Sequence, residues 1–294
     1  LYTVIFLASL VLNSITIYVY FCKSINQSSI TICLKNLAIA DLFVCLCFFL
    51  ILRIANMAST SMEIQRIYCN FGAPTFSTLN MYSSILFMGY IAANRYMKIA
   101  RPLETHMLQS VRSTRYICIV TWAVLLCFSC AYIAAFVSAD KQTFANSGFD
   151  CDRFHNNLVK QIYLALTITS FSMFLFVLVS LIVFYWLNIQ KLRQAQHTMP
   201  DQPGNTKLSK SKRNMQVLVV IFCVCFVPYH LVRLPYVVIK PLLHECTAEQ
   251  VFYILKELTI LLAILNACLD PLIYFVFCKT FRAQLNLQRF CRSK

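Results

Sequence analysis

The sequence predicts an all-α membrane protein: a bundle of seven transmembrane helices with a short amphipathic C-terminal helix on the membrane surface. Three observations carry that prediction. Hydrophobic residues make up 59% of the 294 residues and charged ones 13%, about half the roughly 25% charged share of a soluble chain. Apolar runs long enough for the about 20 residues that a helix needs to cross hydrocarbon recur seven times. The basic residues collect on one side of those runs.

The runs are 1–22, 32–56, 67–99, 116–137, 158–192, 215–239 and 251–278. The first opens within an apolar stretch, with no basic start and no small-residue cleavage site, so it reads as a span and not as a signal peptide. A preceding N-terminal tail is expected. The third and fifth exceed what a bilayer needs and are expected to tilt or project. After the seventh, "KTFRAQLNLQRFCRSK" places Phe281, Leu285 and Phe290 on one flank at helical spacing, with basic residues elsewhere. That is the signature of a surface helix over 279–290. The connections are short, so residues 1–294 form a single domain. The segment 193–211 is polar, contains Pro200, Pro203 and Gly204, and is expected to be a mobile inner loop.

Orientation follows from lysine and arginine. With the N-terminus outside, the inner side holds 18 of the 26 basic residues, opposed there only by Glu104 and Asp201. The outer side holds 8 basic and 7 acidic residues. The net charge of +15 is therefore mostly a topology signal, matched to the anionic lipids of the inner leaflet. Spread over membrane-proximal loops, it suits membrane lipids and not nucleic acid. Without repeated halves the chain does not resemble most secondary transporters. It has no HExxH, no GxSxG and no paired outer carboxylates, so no enzyme is read.

Most of the 15 cysteines lie in spans, where cysteine is a small apolar residue. Cys69, at the outer end of the third run, and Cys151, between the fourth and fifth, face the oxidising side. They are expected to form a disulfide; two unpaired thiols are the alternative. Cys246 is a third outer cysteine, expected to pair within the preceding tail. Cys291 is a candidate palmitoylation site, with an unmodified thiol as the alternative.

Several marks occur in order: Asn13, "LAIAD" (37–41), Cys69, "NRY" (94–96), Trp122, "FCVCFVP" (222–228) and "DPLIY" (270–274). Together they resemble the rhodopsin-like (class A) G-protein-coupled receptors over essentially the whole chain. "CFVPYHLVRLPY" (225–236), "CTAE" (246–249) and the run 256–282 are similar to the purinergic subgroup of the platelet ADP receptor and the UDP-glucose receptor. Relatives of that subgroup include lysophospholipid and platelet-activating-factor receptors. The resemblance implies a multi-pass plasma-membrane receptor that couples to a heterotrimeric G protein, of the inhibitory class.

Ionisable residues inside spans are rare and usually face the bundle interior. Asp41 and Asp270 are the two acids at mid-depth. With Ser84 and Asn266 they are expected to line a small pocket, either holding a structural Na⁺ ion or forming a hydrogen-bonded network without one. Two acids facing one pocket need a cation or share a proton. The resemblance implies the sodium site. It also implies that Arg95, beside Tyr96, pairs with a neighbouring acid at rest and meets the G protein when active. Here the neighbour is Asn94, so that ion pair cannot form. Either basal activity is raised or Asn94 is a tolerated variant, and a decoy receptor stays open as an alternative. Tyr185 and Tyr274 are implied to swing towards Arg95. Phe226 stands where the wider family has tryptophan, Pro228 reads as a pivot, and Pro271 belongs to "DPLIY".

At the outer end of the sixth run, His230 and Arg233 share one face between Pro228 and Pro235. Lys256 and Glu257 begin the seventh run and Lys160 begins the fifth. Tyr82, Tyr229 and Tyr236 supply polar or stacking partners. Three cations around one mouth suit an anionic head group, since arginine binds phosphate through a planar fork. The resemblance to the purinergic subgroup implies a nucleotide or nucleotide sugar as the ligand. The alternatives are a lysophospholipid or platelet-activating-factor-type lipid, and a structural pairing of Arg233 with Glu257. A membrane transporter is a weaker alternative. Cys69 and Arg95 are 26 residues apart, one more than the family's usual spacing, with Gly72 and Pro74 between, so the third span is expected to start irregularly.

Overall fold

Hydrocarbon offers a backbone no hydrogen-bond partners, so a segment that crosses it must satisfy its own N–H and C=O groups, as an α-helix does. The apolar runs do so. In a computed structural model, the described residues are 2–22, 28–58, 79, 81–100, 109–138, 157–198, 203–239, 246–277 and 281, with side chains except at 2–3, 22, 44–58, 135–138, 198, 203–207, 246–249 and 253. They form α1 (Tyr2–Cys22), α2 (Ser29–Ala58), α3 (Tyr82–Ala100), α4 (Val111–Ser138), α5 (Asn157–Thr198), α6 (Pro203–Ile239) and α7 (Cys246–Phe277). Helices α1, α4, α5, α6 and α7 are long and apolar enough to cross a membrane.

Polarity is arranged inside out. Phe176 is 74% exposed, while Asp41 and Asp270 are fully buried. Large apolar side chains such as Val4, Leu7, Val11, Ile119, Val120, Val179 and Val183 cover the outer surface, and Asn13, Thr16, Ser84 and Asn94 lie within. That distribution suits a lipid solvent. Helix α3 is central and packs against α2, α4, α5 and α6. Polar ties then fix the register. Trp122 Nε1 donates to Asn36 Oδ1 at 3.0 Å, joining α4 to α2. Tyr90 and Thr114 share a hydroxyl hydrogen bond at 2.8 Å, joining α3 to α4. Asn13 Nδ2 donates to the Ala267 carbonyl at 2.8 Å, joining α1 to α7.

The expected loop at 193–211 is a correction. Helix α5 runs on to Thr198 and α6 starts at Pro203, so only 199–202 lie outside the described helices. The physical reason is local. Pro203 occupies the first helical position, where its missing N–H costs nothing, and the flanking Lys, Arg, Gln, Ala and Leu residues are good helix formers. The prolines at 228 and 235 lie inside a continuous α6, and Pro271 inside α7. Of the expected surface helix, Phe281 is described. It is buried, its ring stacked on Tyr20 at 5.6 Å and set edge-on to Tyr274 at 6.2 Å. Cys69, Cys151 and Cys291 lie outside the described residues, as does the start of the third run at 67–78.

Gly89 lets α3 approach α5. A Cβ there would stand 2.9 Å from Val177 Cγ1, and valine is stiff at χ1. Gly89→Ala is therefore expected to destabilise the bundle by about 1–3 kcal/mol, the usual cost of overpacking. A lower thermal midpoint in detergent, restored when Val177→Ala is added, is the expected outcome. An unchanged midpoint in the single variant would show that the helices slide apart freely.

Candidate functional site

Two turns of α6, from Phe226 to Arg233, carry most of the expected ligand site. His230 is 2% exposed. Its Nδ1 lies 2.8 Å from the Phe226 carbonyl, which can only accept, so Nδ1 carries the proton. Its Nε2 then accepts from the Tyr82 hydroxyl of α3 at 3.2 Å. The imidazole stacks face to face on Phe174 of α5, with centroids 3.8 Å apart and planes within 3°. Tyr229 meets it edge-on at 5.1 Å. Ser170 of α5 lies beside Tyr82. His230 is thus the packed floor of the mouth: both ring nitrogens and one face are already used.

Arg233 sits almost one turn further out and is half-buried. Its guanidinium donates to the Tyr163 hydroxyl of α5 and lies 5.5 Å from the centre of that ring. Tyr163 rests against Tyr132 of α4, centroids 6.2 Å apart. On α7, Lys256 Nζ lies 3.2 Å from Glu257 Oε1 and 5.4 Å from the centre of the Tyr236 ring. The structure therefore frames the start of α5, the end of α6 and the start of α7 with two cations, each seated on a tyrosine. Glu257 neutralises part of the charge of Lys256. Lys160 is exposed at the start of α5 and is not brought into these contacts. Tyr163, one turn on, does the joining. Sequence reasoning missed Tyr163, Ser170 and Phe174. Their spacing of seven and then four residues puts them on one face of α5, the signal that would have found them.

Deeper in the bundle the carboxylates meet. Tyr274 donates to Asp41 Oδ2 at 2.9 Å, and Asn266 Nδ2 donates to Asp270 Oδ2 at 2.9 Å. The two carboxyls lie close enough to interact electrostatically. Asp41 Oδ1, Asp270 Oδ1, Asn266 Oδ1, Ser84 Oγ and Asn13 Oδ1 are buried with no hydrogen-bond partner among the described residues. Each buried orphan costs about 1–3 kcal/mol. A set of orphaned oxygens on α1, α2, α3 and α7 fits a hard cation, which takes oxygen ligands.

At the opposite end of the bundle, Asn94 turns to α2 and donates to Ser29 Oγ at 3.0 Å. Arg95 donates to the Phe277 carbonyl, the last of α7, at 2.8 Å and lies 4.9 Å from the Phe277 ring centre. A helix C-terminus carries partial negative charge, so this contact holds the cation where a neighbouring acid is missing. Tyr96 stacks on Phe184 at 5.2 Å. Tyr274 points to Asp41, and Tyr185 is half-buried on α5 beside Phe184. Floor and interior are linked by a column of rings. Phe174 stacks on Phe222 at 5.8 Å, and Phe222 meets Phe226 edge-on at 5.2 Å, two residues before Pro228. The Cys246 side chain lies outside those described.

Comparison with known proteins completes the picture. The pattern of the rhodopsin family of seven-transmembrane receptors matches residues 12–274. The mouse G-protein coupled receptor 87 is 32% identical over 288 residues, 97% of this chain and 78% of its own length. The bovine P2Y purinoceptor 14 is 31% identical over 287 residues, 97% of this chain and 83% of its own. The mouse probable G-protein coupled receptor 34 is 29% identical over 301 residues, 98% of this chain and 76% of its own.

Proposed function

Because the chain belongs to the rhodopsin family of seven-transmembrane receptors, a G-protein-coupled receptor of the plasma membrane and not an enzyme, we propose that its outer mouth binds a nucleotide or nucleotide sugar and signals through an inhibitory G protein, with the N-terminus outside. One observation carries the ligand class: Arg233 on Tyr163 and Lys256 on Tyr236 stand above an aromatic floor of His230, Phe174 and Tyr82. Phosphate suits the guanidinium fork, and a base or sugar suits the rings. The purinoceptor relative supports the same class.

In this reading the ligand draws on Arg233 and Lys256 from α6 and α7. The ring column passes the displacement to Phe226 and to Pro228, where α6 lacks one backbone hydrogen bond. The inner half of α6 swings, Arg95 leaves the Phe277 carbonyl, and the G protein takes its place. Asp41, Ser84, Asn266 and Asp270 would hold a Na⁺ ion that stabilises the resting arrangement by neutralising two adjacent carboxyls.

The test is inhibition of cellular cAMP by ADP, UDP-glucose, lysophosphatidic acid, lysophosphatidylserine and platelet-activating factor. A response to a nucleotide or nucleotide sugar is expected. A response to a lipid alone would keep the receptor and overturn the ligand class. Silence with the receptor at the cell surface would favour a decoy.

A further inference from the structure

Two thiols meet where α2 packs on α4, and neither the ligand mouth nor the switch uses them. Cys33 of α2 is fully buried and Cys118 of α4 is 4% exposed. Both are free cysteines in one apolar core cluster. Their meeting follows from the register. Helices α2 and α4 are two crossings apart in the chain, so they run in the same direction. Asn36 and Trp122 join them by a hydrogen bond at 3.0 Å. Cys33 stands three residues before Asn36 and Cys118 four before Trp122, about one turn of 3.6 residues in each helix. Residues at those spacings share a face with their bonded neighbours, and Cys118 does lie beside Cys33. A further turn back along α4, Thr114 shares a hydrogen bond with Tyr90 of α3 at 2.8 Å. Polar ties on either side of Cys118 thus hold the pair in place. Cys118 also belongs to Val111–Ala134, a stretch long and apolar enough to cross a membrane. Its neighbour Ile119 is 62% exposed on the surface that suits lipid.

We propose that Cys33 and Cys118 form a site of reversible oxidation, closed to a disulfide between α2 and α4 by an organic hydroperoxide dissolved in the bilayer. The location selects the oxidant: an apolar hydroperoxide partitions into the hydrocarbon around α4, whereas a charged oxidant does not. Cys118, the less buried of the two, reacts first. Its sulfur takes the terminal oxygen of the hydroperoxide. An S–O bond forms, the O–O bond breaks, and the thiol proton ends on the leaving oxygen, which departs as an alcohol. The product is a sulfenic acid, which condenses with a thiol where one is at hand. Cys33 is at hand. Its sulfur attacks that of Cys118, an S–S bond forms, the S–O bond breaks, and the oxygen leaves as water with the Cys33 proton. The two thiols have given up two electrons, and the hydroperoxide has been reduced to an alcohol and water. Cys127, nine residues beyond Cys118 and exposed, falls on the opposite side of α4 at about 100° per residue, so α4 carries its own control for access without a partner on α2.

Peptide mapping of the receptor in phosphatidylcholine vesicles, treated with cumene hydroperoxide and then blocked with N-ethylmaleimide, tests this. The wild type is expected to give a linked pair of peptides carrying Cys33 and Cys118. The pair should be lighter than the two free peptides by two hydrogen atoms and should separate in dithiothreitol. Cys33→Ala is expected to lose the pair and to leave Cys118 as a sulfenic acid that dimedone traps. Cys118→Ala is expected to lose the pair and to leave Cys33 as a thiol. Alanine keeps a small apolar side chain at both positions, and the wild-type result stands whether or not a variant folds. The oxidised wild type should also unfold at a higher temperature than the reduced one, since a crosslink restrains the unfolded chain, and Cys33→Ala should show no such rise. Recovery of Cys33 and Cys118 as thiols, whether or not Cys127 and Cys130 are oxidised, would overturn the site. So would a sulfinic acid at Cys118 of the wild type without the linked pair, which would put the two sulfurs out of bonding reach. A disulfide joining two copies of the chain through Cys118 would overturn it in favour of a link between receptors.

Discussion

Arg233→Ala is expected to raise the nucleotide concentration for half-maximal cAMP inhibition by about 10- to 150-fold, since a charged hydrogen bond contributes about 1.5–3 kcal/mol and about 1.4 kcal/mol is tenfold. The argument runs through the partner as well as the charge. Tyr163 holds the guanidinium by its hydroxyl and by its ring, so the arginine is pre-positioned before any ligand arrives. Removing it takes away both the proposed phosphate contact and a tie between α5 and α6. Tyr163→Phe keeps the ring and loses the hydroxyl, and is expected to lose several-fold less. Arg233→Lys keeps the charge and loses the fork, and should fall between them. Concentration–response curves at matched surface expression give the order. Unchanged potency in Arg233→Ala would make this arginine a structural tie only and move the phosphate to Lys256.

Asp41→Asn is expected to abolish the effect of sodium on agonist binding. In the wild type, raising sodium at constant ionic strength is expected to weaken agonist affinity within the about 5- to 150-fold range usual for coupled sites. Asparagine keeps an oxygen for the Tyr274 hydroxyl and removes the charge that the proposed cation would neutralise, so folding should survive. The readout is competition binding with sodium exchanged for a large organic cation. A wild type indifferent to sodium would mean that Asp41 and Asp270 share a proton, and the pocket would be a packing network without an ion.

The apolar runs gave away the helices, because a segment in hydrocarbon has no other way to satisfy its backbone. Their ends were less legible. At 193–211 two prolines and a glycine suggested a break, yet α5 runs on to Thr198 and α6 starts at Pro203, because propensity outside the membrane is local and Pro203 happens to start a helix. The cations of the mouth were legible one at a time, as charges placed where charge is costly. Their seats were not. Nothing in the residues around Arg233 names Tyr163, which lies 70 positions away, and Lys160 was the more conspicuous residue on that turn.

The same division holds for His230 and for the acids. By itself the sequence determined the membrane class, the number and order of the helices, the family and the short set of buried polar residues, since each follows from composition, spacing or charge along the chain. The tertiary structure alone decided what those polar groups do. It closed both nitrogens of His230 on Tyr82 and Phe226, set Arg95 on the carboxyl end of α7 in place of an acid, and turned Tyr274 towards Asp41. The physical reason is that hydrogen bonds between helices depend on how the helices are rotated against one another. Packing over many small contacts sets that rotation, and no local stretch of residues encodes it.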